Sequence, residues 1–287
     1  MTNLFCFGLG YSALELSHRL TPQGWSIAGT STSAAGTAHL KALGFDAYQL
    51  DGGAHVPALD AGLARVTHVL VSAPPETSGD PILRCYAHAL ERAPHLKWIG
   101  YLSTIGVYGD HQGRWVDENT PVTPGSERSR RRVVAETEWL DFASKTGKAV
   151  QIFRLAGIYG PGRSAIDSVR DGSARRIIKS DQVFNRIHVT DIAGVLEAAI
   201  ARPVAEKVFN VTDDEPAPPQ DVIAYAADLL GLPVPPGINF TDATFSPMGR
   251  SFYSENKRVH NDRIKQVLGA ELQFPTYREG LRALAKA

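Results

Sequence analysis

Short apolar runs alternate with helix-patterned stretches through the first half of the chain, and this alternation restricts the fold more than any other feature. Leu4-Phe5-Cys6-Phe7 reads as a buried strand that stops at Gly8 and Gly10. Ala13, Leu16 and Leu20 follow at helical spacing until Pro22 and Gly24 interrupt the pattern. Further strands are predicted over 25–29, 47–50, 68–72, 98–102, 150–155 and 208–211, and helices over 81–92, 126–145 and 189–201. Strands of continuous apolar character separated by helices imply βαβ units, with a parallel sheet covered on both faces. The expected class is α/β.

At roughly 150 residues per domain, 287 residues allow one large domain or two small ones. The texture changes near residue 213, where Pro216, Pro218, Pro219, Pro233, Pro235 and Pro236 punctuate short helices. A larger domain over 1–212 and a smaller C-terminal lobe over 213–287 are therefore expected, with 161–182 contributing to the lobe. Thirty basic residues balance thirty acidic ones, so no global field points to nucleic acid or to a membrane surface. Cys6 and Cys85 lie far apart without metal or redox spacing, and the nine histidines form no metal motif, so no metal is expected. The apolar run at the N-terminus ends after four residues, too short for a signal peptide, and no run approaches the ~18 residues of a membrane span. The expectation is a soluble, cytoplasmic protein.

Gly8-Leu9-Gly10-Tyr11-Ser12-Ala13 follows a strand and opens a helix. In that context glycines have a physical use: Gly8 permits the tight turn, Gly10 lets a pyrophosphate approach the helix N-terminus, and Ala13 keeps the helix close to the strand. An NAD site would place a carboxylate about 20 residues further on. Here the second strand ends in Thr30-Ser31-Thr32-Ser33, and no acidic residue occurs between Glu15 and Asp46. Hydroxyls without a repelling carboxylate suit a 2′-phosphate, but no arginine or lysine is present to hold it, so NADP is expected to be preferred only slightly over NAD. Asp51 ends the third strand and can accept from an adenine amino group, or simply sit in a solvated turn.

Together with these residues, four later segments carry a resemblance. They are Leu102-Ser103-Thr104-Ile105-Gly106-Val107-Tyr108-Gly109, Arg154-Leu155-Ala156-Gly157-Ile158-Tyr159-Gly160-Pro161-Gly162, Ile187-His188-Val189-Thr190-Asp191-Ile192-Ala193 and Phe209-Asn210-Val211. In this order they resemble the extended short-chain dehydrogenase/reductase family, of the NAD-dependent epimerase/dehydratase type. The resemblance implies a Rossmann-type doubly wound parallel sheet of about seven strands with a C-terminal α/β substrate lobe. It also implies that Ser72, Ala73 and Pro74 border the nicotinamide ribose, that Ser103 or Thr104 hydrogen-bonds a substrate oxygen, and that Arg163 and Arg186 lie near an anionic group. A homodimer through helices such as 126–145 is a further implication.

The chain departs from the family in two places. Gly8 and Gly10 are spaced one residue closer than usual. The family's proton-transfer pair, Tyr-x-x-x-Lys, falls in register on Arg128 and Arg132. Residues four apart on a helix share a face, and the lysine normally lowers the phenol pKa. Arginine stays protonated and cannot replace the tyrosine, although its guanidinium can grip an oxyanion. The resemblance is thus to an atypical subgroup that keeps the cofactor fold without the usual tyrosine. Tyr108 is the nearest phenol in sequence and the substitute proton donor to test, with Arg132 expected to orient cofactor or substrate from a solvent-accessible helix start. Tyr253 and Lys257 also spell Tyr-x-x-x-Lys, but after the last predicted sheet strand and outside the motif's structural context. His188 and Asp191 read as capping or packing residues. Two functions remain open: an NAD(P)-dependent oxidoreductase, epimerase or dehydratase acting on a nucleotide sugar or similar anionic small molecule, and a non-catalytic dinucleotide-binding sensor or partner protein.

Overall fold

The computed structural model describes residues 2–51, 54–202, 204–205 and 207–286. By backbone packing the chain divides into two units. The first comprises 1–104, 127–154 and 193–209, and the second comprises 105–126, 155–192 and 210–287. The second unit therefore draws on three stretches of chain, where a contiguous lobe from 213 with a contribution from 161–182 was expected.

The first unit is organised by a seven-stranded parallel sheet. Its first five strands in sequence are β1 (Asn3–Phe7), β2 (Ser26–Ser31), β3 (Asp46–Gln49), β4 (His68–Val71) and β5 (Trp98–Thr104). With the strands Val150–Leu155 and Val208–Val211, the spatial order is 208–211, 150–155, β5, β4, β1, β2, β3. β1 pairs with β2 on one side and β4 on the other, which puts the order reversal beside the Gly8 turn. Five helices matter below: α1 (Tyr11–Leu20), α2 (Ala34–Ala42), α3 (Ala58–Leu63), α4 (Pro81–Arg92) and α5 (Glu127–Thr146).

Local chemistry sets several of these boundaries. Asp80 caps α4 by accepting from the Ile82 and Leu83 amides, and Pro81 occupies the first helical position, where its missing N–H costs nothing. β2 runs two residues beyond the predicted end at Gly29, which carries Thr30 and Ser31 into the sheet. The core joins Phe5, Phe7, Val69, Val71, Ile99 and Tyr101 to Tyr86 of α4 and Trp139 of α5. Cys6 is fully buried, and burial pushes its thiol up to about 12, which leaves it unreactive.

The second unit is built from short pieces. Its strands are two or three residues long and pair in parallel: 157–159 with 186–188, 176–178 with 237–239, and 115–116 with 258–259. Its core packs Tyr159, Ile166, Val169, Ala217 and Val222 against Tyr277 and Leu281 of the helix Tyr277–Lys286. Among the described residues no helix is long and apolar enough to cross a membrane.

Candidate functional site

The turn after β1 is shaped by backbone geometry. Gly8 has φ +88°, and a Cβ there would come within 2.7 Å of Ser72 Oγ. Its N–H donates to Thr30 Oγ1 at 2.9 Å, its carbonyl accepts from Ser72 Oγ at 2.5 Å, and the Leu9 N–H donates to the Thr30 carbonyl at 2.8 Å. The loop is thereby pinned to β2 and to the end of β4. Gly10 differs: its backbone is extended, it caps α1 without a side-chain hydrogen bond, and a Cβ there would meet nothing within 4 Å. With no acidic side chain in the first turn, the positive end of α1 faces a space that a side chain at residue 10 would fill. Such a cradle fits the pyrophosphate of a dinucleotide.

The other predicted cofactor residues fall into two groups. Ser12 and Ala13 are buried against the sheet, Ser72 and Ala73 follow β4 beside Gly8, and Asp51 is exposed just past β3. Thr30 is a correction: it is 3% exposed and its hydroxyl is taken by the Gly8 amide, because the longer β2 turns it inward. Ser33 likewise caps α2 through the Gly36 amide. Ser31 and Thr32 are the hydroxyls left near the surface at this strand end.

β5 delivers Ser103 and Thr104. The Ser103 hydroxyl donates to Glu136 Oε1 at 2.5 Å, and Arg154 grips the same carboxylate through Nε at 3.2 Å and Nη2 at 2.7 Å. All three residues are buried. Neither Glu136 nor Arg154 was identified from sequence as a working residue. An isolated glutamate in a charged helix reads as solvated, and only its partners across 18 and 33 residues reveal otherwise.

The altered catalytic register also differs from expectation. Arg132 is not at an open helix start. Its Nη1 donates to the Leu102 carbonyl at 2.7 Å and to the Tyr101 hydroxyl at 3.1 Å, and its guanidinium lies 5.6 Å from the Tyr101 ring centroid. It therefore clamps the strand that carries Ser103 and Thr104. Arg128 is exposed, while Arg130 and Arg131 both pair with Glu127.

In the second unit Tyr108 has no exposed surface and donates to Asn210 Oδ1 at 2.7 Å, with Asn210 equally enclosed. A phenol held this way is a structural tie, which corrects its expected role as proton donor. Arg163 is exposed and closes a small bridge with Gly160. Arg186 is partly exposed, and its Nη1 donates to the Phe184 and Ala217 carbonyls at 2.9 and 3.1 Å. Asp191 accepts from the Gln273 and Phe274 amides, which ties the helix 189–201 to a distant segment, the packing side of the capping-or-packing reading. Lys257 places its ammonium on the Gly109 carbonyl and Glu255, whereas Tyr253 packs among Phe184, Phe240 and Phe245, so the second Tyr-x-x-x-Lys string builds no proton relay.

No family model matches the chain. Escherichia coli (strain K12) protein YeeZ is 29% identical over 288 residues, spanning 96% of this chain and 97% of that protein. A functionally unknown conserved protein from Silicibacter pomeroyi is 51% identical, with a TM-score of 0.90 over 100% of this chain and 99% of its own. A Methylobacillus flagellatus structure named for the NAD-dependent epimerase/dehydratases is 26% identical, with a TM-score of 0.70 over 99% of this chain and 97% of its own. The chain is similar in fold to the NAD-dependent epimerase/dehydratases. The fold is also similar to that of Bacillus anthracis dTDP-glucose 4,6-dehydratase, solved in complex with NAD, at 16% identity and a TM-score of 0.78 over 100% of this chain and 96% of that one.

Proposed function

We propose that the chain binds a nicotinamide dinucleotide at the turn from Gly8 to Ala13 and uses it in reductase, epimerase or dehydratase chemistry on a small anionic molecule such as a nucleotide sugar. The observation that carries this reading is the open space in front of Gly10 at a helix N-terminus without a side-chain cap, on a turn pinned to β2 and to the end of β4. The first-turn amides of α1, including those of Tyr11 and Ser12, would hold the pyrophosphate. Ser31, Thr32 and Asp51 would meet the adenosine end, and Ser72, Ala73 and Pro74 the nicotinamide ribose. The bound dinucleotide would supply hydride exchange. Ser103 contributes a hydrogen-bond acceptor to a ligand, since its own hydrogen lies in the bond to Glu136. Thr104 is the neighbouring partly exposed hydroxyl, and Arg128 is an exposed cation at the start of α5.

Gly10→Val tests this reading cleanly. Its backbone lies in an ordinary extended region and a Cβ there meets nothing within 4 Å, so the variant should melt close to the wild type. NADPH affinity, followed by fluorescence titration, should fall at least tenfold, because the valine occupies the approach to the backbone amides. Unchanged affinity in the folded variant would remove the turn from dinucleotide binding.

Cofactor choice is a second test. With Thr30 committed to the loop, Ser31 and Thr32 are the hydroxyls near the surface, and the sequence has no arginine or lysine between Leu20 and Leu40. NADP should bind tighter than NAD by about tenfold or less, ~1.4 kcal/mol. Tighter NAD binding in calorimetric titration would show that these hydroxyls do not select the phosphate. Absence of hydride turnover with a tightly bound dinucleotide would favour the sensor reading instead.

A further inference from the structure

A cavity of about 450 Å³ lies where β2 and β3 begin, at the opposite edge of the sheet from the glycine turn. His18, Trp25, Ser26, Leu43, Phe45 and Asp46 line it, all within the first unit. Small-molecule pockets occupy roughly 300–1,000 Å³, so the space is of ligand size. β2 leaves the cavity at Ser26 and reaches Ser31 five residues later, about 17 Å away at ~3.3 Å per residue. This edge is therefore separate from the adenosine end of the dinucleotide reading.

The walls are aromatic and held in place. Trp25 is half-buried and meets His68 edge-on, with ring centroids 4.8 Å apart. His68 lies 6.3 Å from Trp98, whose Nε1 donates to Gln151 Oε1 at 2.7 Å. Opposite, the half-buried Phe45 faces the exposed His18 ring at 6.2 Å, with the planes tilted by 31°. Leu43 is 46% exposed, an apolar side chain that the fold leaves largely uncovered.

The fixed charge here has one sign. Asp46 is the one carboxylate among the lining residues, which include no lysine or arginine. Among the described residues the Asp46 side chain enters no ion pair or hydrogen bond, and no lysine or arginine stands over the ring of Trp25 or Phe45. His68 brings no charge from behind, because burial holds its imidazole down to about 4. Aromatic faces attract a cation, and a nearby carboxylate supplies its counter-charge. The Ser26 hydroxyl can accept a hydrogen bond from an N–H.

We propose that this cavity binds an organic cation, an alkylammonium carrying an apolar or aromatic group. Its ammonium sits beside Asp46, and its apolar part lies against Trp25, Leu43 and Phe45. The site shares no residue with the turn from Gly8 to Ala13.

Phenethylammonium is the probe, titrated calorimetrically into the full chain at pH 8. It should bind at least tenfold tighter than 2-phenylethanol, which has the same ring and chain without the charge, and phenylacetate should give no isotherm. Asp46 is exposed, so Asp46→Asn should melt with the wild type. That variant should bind phenethylammonium about tenfold more weakly and leave phenylethanol affinity unchanged. Phe45→Leu should weaken both ligands by about threefold or more. Gly10→Val should bind phenethylammonium as the wild type does, and Asp46→Asn should keep wild-type NADPH affinity. Loss of NADPH binding alone would therefore count against the dinucleotide reading and not against this site. Three outcomes overturn the proposal: no phenethylammonium isotherm in the folded wild type, equal affinity for the ammonium and the alcohol, or ammonium binding that survives Asp46→Asn. If Phe45→Leu fails to fold, the three-ligand comparison and Asp46→Asn still decide.

Discussion

Arg154→Met should cost about 3–5 kcal/mol of stability in urea denaturation at pH 7, the largest loss expected from a single side chain outside the glycine turn. Arg154 lies in a fully buried strand and grips Glu136 through Nε and Nη2. Removing the cation strands a buried carboxylate beside the Ser103 hydroxyl. The cost comes from the abandoned charge more than from the lost contact, so the double variant Arg154→Met, Glu136→Leu should recover most of it. A single variant that loses less than about 1 kcal/mol would mean that Glu136 reaches water. The same variants report on function, because Ser103 is aimed by Glu136. Both should alter substrate KM or turnover while sparing NADPH affinity, which the proposed reading assigns to the turn after β1.

Much of the first unit could be read directly from residues. The helix Pro81–Arg92 and the strands Val150–Leu155 and Val208–Val211 match the sequence pattern because local chemistry specifies them: a capping aspartate followed by proline, and short runs of apolar residues. The second unit was far less legible. Pairs of two- or three-residue strands have no periodicity to display, and the chain reaches them in three separate passes. Within the site, the errors share one cause. Thr30, Arg132 and Tyr108 are residue types that face ligands in many proteins, and each is satisfied here by a partner 22, 30 or 102 residues away. Spacing along the chain carries no trace of such bonds. Glu136 and Asp213 fail in the opposite direction: both sit in charged segments that look solvated, and tertiary packing buries them.

Gly8→Ala should destabilise the fold by about 2–3 kcal/mol and abolish tight dinucleotide binding, in contrast to Gly10→Val, which should spare stability. Gly8 sits at φ +88°, a conformation that charges any L side chain a strain energy irrespective of space. Space is also lacking: the new Cβ would stand 2.7 Å from Ser72 Oγ and 3.3 Å from the Ala73 nitrogen. The serine can rotate away only by giving up its bond to the Gly8 carbonyl, and the Ala73 nitrogen belongs to backbone held on the Phe7 carbonyl. Relief therefore requires the loop to move, which also breaks the Gly8 amide bond to Thr30 and shifts the start of α1. A displaced helix start no longer presents its amides where Gly10 leaves room. Thermal melts paired with NADPH titration separate the two glycines: one fixes the shape of the turn, the other keeps it open. A Gly8→Ala protein that melts with the wild type would show that the turn has an alternative conformation, and the assignment of the pyrophosphate cradle to this backbone would fall with it.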